Sequence, residues 1–143
     1  MSSIYGNLKA KFVIISGGLL TTLRTYTLPN RSGTIALIDD IPTPTINAQA
    51  GNYTAVLTDA NSVTIDMTSA SANTFTIPTN ASVAFPVGSS LTVFRSGVGV
   101  TTIQATAGVI LNGTSGGSRL IEGQYQGVLL QKKATDTWYI FNK

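Results

Sequence analysis

Few groups in this sequence could perform acid–base, nucleophilic or metal chemistry. Histidine and cysteine are both absent, which removes the commonest general base, the commonest metal ligand and every Ser-His or Cys-His nucleophile. Six carboxylates remain. Asp39 and Asp40 are neighbours, and because adjacent side chains of a strand point to opposite faces, the two do not form a paired acid–base site by themselves. The sequence therefore predicts neither an enzyme nor a cofactor.

The other four carboxylates lie far from one another along the chain: Asp59, Asp66, Glu122 and Asp136. A glycosidase would need the fold to bring two of them together on either side of a sugar bond. No D-x-D-x-D-G loop suitable for calcium occurs. We expect these carboxylates to be turn and surface groups and expect no metal site.

Two further short motifs have a structural explanation. Gly97 and Gly99 lack the third glycine and the following helix of a dinucleotide-binding loop, so they predict a tight turn between two strands. Lys132 and Lys133 precede a turn and are expected to be solvated on an exposed loop.

Aromatic residues near the end of the chain are the best candidates for ligand or interface contacts. Tyr125, Trp138, Tyr139 and Phe141 have ring faces that can stack on sugars. Alternation places Trp138 with Ile140 on one face of a strand and Tyr139 with Phe141 on the other. We therefore expect one pair in the core and the other at an interface or against a host-surface glycan.

The composition favours a protein that contacts other chains. The chain has 143 residues, the size of one ordinary domain. Only 10% of them are charged, against about 25% in a typical protein, and the mean hydropathy is +0.24. A surface so poor in charge is typical of oligomers, so we expect a homo-oligomer. The net charge of +3 comes from scattered basic residues, which do not form the stripe that nucleic-acid binding requires.

The first 45 residues differ from the rest and predict an anchoring and oligomerisation arm. The apolar stretch 12–20 superficially resembles a signal peptide, but it is shorter than the about 20 residues that span a bilayer, and we expect no membrane insertion. The prolines within residues 41–45 favour an extended linker, so we place the boundary with a second domain, 46–143, there. The residues expected to anchor the arm are Phe12, Val13, Ile14, Ile15, Leu19, Leu20, Tyr26 and Leu28.

The second domain shows the alternation of β-strands. Residues 74–104 contain three short alternating runs separated by Pro, Gly and Asn turns, and no window has convincing helical spacing. This pattern predicts an all-β fold, an antiparallel β-sandwich or jelly-roll-like domain. A weak similarity between residues 63–77 and 100–114 is too loose to indicate a solenoid repeat.

Two parts of the chain resemble bacteriophage fibre and appendage proteins. Residues 26–37 read YTLPNRSGTIAL and look like the Y-T-L-P-x-x-S-G-T-I-A-L segment that recurs in phage tail and fibre chains. Residues 53–142 are similar to a small β domain at the C-termini of such chains, in features such as FTIP at 75–78, FPVGS at 85–89 and TWYI at 137–140. The resemblance implies a virion structural protein on the particle surface, usually trimeric and attached to other head or tail proteins, which can contribute to host adhesion. The chain is much shorter than a full tail fibre, which favours a short appendage; a receptor- or carbohydrate-binding module is the alternative.

Overall fold

The computed structural model describes residues 43–142, which belong to the unit Ala36–Lys143. The residues named above for the anchoring arm lie outside this range. The described part is all β, apart from one short 3-10 helix at Leu57–Asp59. Its strands are β1 (Thr45–Gln49), β2 (Tyr53–Thr54), β3 (Val63–Met67), β4 (Asn73–Ile77), β5 (Ser90–Arg95), β6 (Thr101–Ala105), β7 (Ile110–Leu111), β8 (Thr114–Ser115), β9 (Ser118–Ile121), β10 (Gln126–Ala134) and β11 (Thr137–Asn142).

The strands form a seven-stranded sheet in the order β1-β3-β5-β10-β11-β7-β8 and a four-stranded sheet in the order β2-β4-β6-β9. The first six strands alternate between the two sheets, and strands two apart in the chain pair in parallel. The chain therefore winds as a coil, with one strand of each turn in each sheet. The all-β prediction is confirmed, but the antiparallel pairing expected for these six strands is wrong, because they pair in parallel and no hairpin connects them.

The second and third turns of the coil are separated by the same number of residues in both sheets. Thr64 pairs with Thr92 in one sheet and Asn73 with Thr101 in the other, at a spacing of 28 residues in both cases. Apolar side chains of successive turns consequently lie above one another inside the coil. The similarity noted between residues 63–77 and 100–114 used a different offset, and the repeat that the structure shows is one of backbone geometry more than of sequence.

Glycines allow the two turns to touch at a corner. Gly97 N donates to Met67 O and Gly99 N donates to Ser69 O, each at 3.0 Å. A Cβ atom on Gly97 would lie 2.2 Å from the carbonyl oxygen of Ser69, and one on Gly99 would lie 2.1 Å from that of Ser71. The tight turn predicted for these glycines is therefore also a backbone-to-backbone contact, which any side chain would disrupt.

Antiparallel strands complete the structure. β10 pairs with β5 and with β11, and β9 pairs with β6. The core between the sheets contains Trp138, whose ring packs edge-on against Phe85 with centroids 5.5 Å apart. The other core residues are Ala55, Ile65, Met67, Phe75, Ile77, Leu91, Val93, Ile103, Ala105, Val109, Leu111, Ile121, Val128 and Leu130.

Three strands lie where the sequence pattern did not predict them. β1 begins at Thr45, the last residue of the predicted linker, and Thr45 pairs with Val63 of β3. β8 and the start of β9 lie in residues 114–118, a stretch rich in Ser and Gly and without apolar alternation. These strands are short and largely polar, and backbone pairing with longer neighbours defines them.

Candidate functional site

The outward side of the seven-stranded sheet carries a group of apolar side chains. Alternation along β5, β10 and β11 directs Phe94, Leu129, Tyr139 and Phe141 away from the core. The rings of Tyr139 and Phe141 contact each other at 69°, with centroids 6.2 Å apart, and they are 36% and 46% exposed. We call these four residues the outer aromatic face.

One row of paired residues extends this face across the sheet. Phe141 lies opposite Leu129, and Leu129 lies opposite Thr92. Thr92 pairs with Thr64, which pairs with Ile46 at the edge of the sheet. Ile46 is 74% exposed. The row therefore has an apolar group at each end and hydroxyl groups in the middle, and it carries no charge.

A groove borders the outer aromatic face where β10 begins. It has a volume of about 400 Å³, and Phe94, Leu129 and Tyr125 contribute to its lining. Tyr125 has a positive φ of 62°, a conformation that is uncommon for residues other than glycine. Its backbone N donates to Arg95 O at 2.7 Å, and its side chain is 69% exposed. The turn thus holds a tyrosine ring at the surface beside the groove.

Two opposite charges lie near the two ends of the outer aromatic face. Asp66 pairs with Phe94 across β3 and β5, and its Oδ1 atom is buried without a hydrogen-bond partner among the described residues. Lys133 lies near the other end of β10, with its Nζ atom 5.1 Å from the centroid of the Tyr139 ring. The face is therefore apolar in the middle and carries one anion and one cation at its margins.

The structure separates the four aromatic residues that the sequence suggested for ligand contacts. Tyr125, Tyr139 and Phe141 are exposed, whereas Trp138 is 1% exposed and belongs to the core. Ile140, which shares the face of Trp138, packs against that core. The Trp138 ring is therefore not available at the surface, and the half-buried Phe94, which was not among the predicted contact residues, shares the outward side with Tyr139 and Phe141. Its alternation with the core residues of β5 was the signal that could have identified it.

Asp59 is a buried carboxylate and not the surface group that we predicted. Its Oδ1 atom accepts from Asn47 Nδ2 at 3.0 Å, and its Oδ2 atom accepts from the Tyr53 hydroxyl and from Val56 N, each at 2.9 Å. Burial raises the pKa of the Tyr53 hydroxyl, and the hydrogen bond to Asp59 raises it further. Both oxygens of the carboxylate are used by this cluster, which fastens the 3-10 helix to the first turn of the coil.

Arg95 is 5% exposed and is held by backbone carbonyls. Its Nη1 atom donates to Ile121 O at 2.9 Å and to Glu122 O at 2.6 Å, Nη2 donates to Val98 O at 2.6 Å, and Nε donates to Gly97 O at 3.2 Å. This guanidinium ties the glycine corner to the loop between β9 and β10. Its donors are directed to the fold and not to a ligand.

Lys132 contradicts the expectation of a solvated lysine pair. It is 3% exposed, and its Nζ atom donates to Phe85 O at 2.6 Å and to Asn80 Oδ1. Asn80 N in turn donates to Asp136 Oδ1. Position 132 faces the core because Lys132 lies opposite Trp138 in the β10–β11 ladder, whereas Lys133 is exposed.

Within residues 43–142, no three or more carboxylates lie close enough together to hold a metal ion. The same residues include no helix that is long and apolar enough to cross a membrane. Comparison of the chain with known protein families, with characterised proteins and with solved structures gives no match. Among the described residues, the outer aromatic face and its groove form an exposed apolar surface that is suited to contact with another molecule.

Proposed function

We propose that this chain is a structural component of a bacteriophage particle, a short trimeric fibre or a decoration protein on the particle surface. Residues 1–45 attach it to another head or tail protein, and residues 46–143 project as a β domain. The observation that carries the assembly role is the outer aromatic face, an exposed apolar surface in a protein with few charges. The assignment to a phage is supported by the resemblance of residues 26–37 to the segment of phage fibres.

The polar interior supports a structural role over a catalytic one. The carboxylate of Asp59 and the guanidinium of Arg95 are buried and hydrogen-bonded within the fold. Groups used in this way maintain backbone geometry and have no donor or acceptor directed at a substrate. The described residues thus offer a framework that presents surfaces.

Labelling of intact particles tests the proposal. Phage particles that contain this protein are incubated with a gold-conjugated antibody raised against residues 46–143 and examined by electron microscopy. We expect label at a fixed site on the head or tail, with three copies per site by quantitative mass spectrometry. Purified particles that lack the protein, although the infected cells produce it, would refute the proposal.

Sugar binding is a second candidate function, favoured by the Tyr125 ring beside the groove. Tyrosine rings stack on sugar faces, and Gln126 in the groove lining supplies amide groups. Saturation-transfer NMR with polysaccharide from the host surface would show contacts that disappear in Tyr125→Ala and persist in Tyr139→Ala. Binding that is equal in both variants and the parent would exclude this groove as the sugar site.

A further inference from the structure

We propose that the outer aromatic face is the contact surface between copies of this chain, and that Asp66 of one copy lies against Lys133 of the next. This inference goes beyond the proposed function, because a contact of the face with the same face of a second copy joins copies in pairs and does not itself form the trimer. Two observations support it: the apolar area of the surface and the arrangement of its charges.

The area of the face fits what association of two copies requires. A fully covered aromatic side chain buries about 150–250 Å². The exposed fractions of Tyr139 and Phe141, together with those of Tyr125 beside the groove and Ile46 at the end of the paired row, give roughly 400 Å² of apolar side-chain surface on each copy by that measure. Two copies together would bury about 800 Å², and a standard interface of about 1,200–2,000 Å² in total is a little more than half apolar. The face is therefore large enough for a specific contact.

The two marginal charges make the face complementary to itself. Asp66 lies on β3 beside Phe94, and Lys133 lies on β10 beyond Gln131, the partner of Ser90. The two charged residues are thus on different strands and near opposite ends of the sheet. When a second copy packs on the face with its sheet reversed, the anion of each copy meets the cation of the other.

Replacing Phe141 tests the apolar part of the contact. The full-length protein and its variants are studied by sedimentation equilibrium at micromolar concentrations. Phe141→Glu should raise the dissociation constant by about 100-fold or more, because it buries an unpaired charge in the contact. Leu120→Glu is the matched control, since Leu120 is 48% exposed on the four-stranded sheet, and it should leave association unchanged. Circular dichroism verifies that both variants are folded.

A charge exchange tests the pairing of Asp66 with Lys133. Asp66→Lys and Lys133→Glu should each weaken association by about tenfold, because each places like charges together. The double variant restores opposite charges and should associate within about threefold of the parent protein. Recovery of this kind would not occur if the two residues acted only on the fold of their own chain.

Several results would overturn the inference. These are a parent protein that is monomeric at these concentrations, Phe141→Glu and Leu120→Glu variants that associate equally well, and a double variant no better than its single parents. A monomeric parent would indicate that residues 1–42 of the same chain, or another protein, cover the face. Association through this face by a protein absent from phage particles would refute the proposed function and leave the inference intact.

Discussion

Replacing Gly99 with alanine tests whether successive turns of the coil are in direct backbone contact. The new Cβ atom would lie 2.1 Å from the carbonyl oxygen of Ser71, and carbon and oxygen atoms that are not bonded normally remain more than about 3 Å apart. The two turns must therefore separate by about 1 Å at this corner. The hydrogen bond from Gly99 N to Ser69 O, 3.0 Å long, would be lost or stretched.

The energetic cost follows from these two effects. A lost backbone hydrogen bond costs about 1 kcal/mol, and forcing extra atoms into a packed region costs about 1–3 kcal/mol. We expect Gly99→Ala to lower the free energy of unfolding by about 2–4 kcal/mol. Gly51→Ala is the control, because no atom lies within 4 Å of a Cβ at Gly51, and its effect should be below about 0.5 kcal/mol.

The assay is urea unfolding followed by tryptophan fluorescence. The chain has one tryptophan, and Trp138 is buried in the core between the sheets, so its emission should shift to longer wavelength on unfolding. Gly99→Ala should move the midpoint to lower urea concentration with a similar slope. A midpoint for Gly99→Ala that matches the midpoint for Gly51→Ala would show that the turns are not in contact at this corner, and the description of the coil would be wrong.

Three other substitutions test the polar interior by the same assay. Arg95→Met should lower the free energy of unfolding by about 3 kcal/mol or more, because it leaves buried carbonyls unpaired. Arg119→Met, at an exposed position, is the control and should lower it by less than about 0.5 kcal/mol. Equal losses in the two variants would contradict the role of Arg95. Thr101→Val should lower the free energy of unfolding by about 1–2 kcal/mol, because it removes the 2.9 Å hydrogen bond from Thr101 to Asn73 Oδ1, which joins two turns of the coil. An unchanged urea midpoint would argue against that bond. The pKa of Tyr53 is raised from 10.0, so its stabilising contribution is complete below about pH 10 and is lost as the pH rises through the higher folded value. Tyr53→Phe should therefore lose less stability than the parent between neutral and strongly alkaline pH, and identical pH profiles would exclude this linkage.

Alternation in the sequence was sufficient to predict several strands and the faces they present. The three alternating runs noted within residues 74–104 correspond to β4, β5 and β6. The separation of Trp138 from Tyr139 and Phe141 also follows from alternation, because successive side chains of a strand point to opposite sides. These features depend on local geometry alone, and a single strand contains the information they require.

The pairing of the strands could not be obtained in this way. Alternation is the same in parallel and antiparallel strands, and the short connections with Gly, Pro and Ser resemble hairpin turns. The five residues between β3 and β4 instead carry the chain from one sheet to the other. β1 was missed for a related reason, since its sequence TINAQ is mostly polar and follows two prolines, and the strand is defined by its pairing with β3.

The polar part of the interior was also beyond the sequence pattern. Lys132 and Arg95 carry charges, and charged side chains are rarely buried. Their burial depends on carbonyl groups that are distant in the chain, such as Phe85 O for Lys132 and Ile121 O for Arg95. The composition of a short segment does not reveal such partners.

The equal spacing of the second and third turns affects how this protein can change its length. A duplication of one block of 28 residues, the spacing shared by both sheets, would insert a new layer without shifting the register of those above and below. Each added layer would need small residues where Gly97 and Gly99 now lie, since these positions set the distance between layers. Inserting whole layers in this way would lengthen the domain along the axis of the coil and leave the strands at its two ends unchanged.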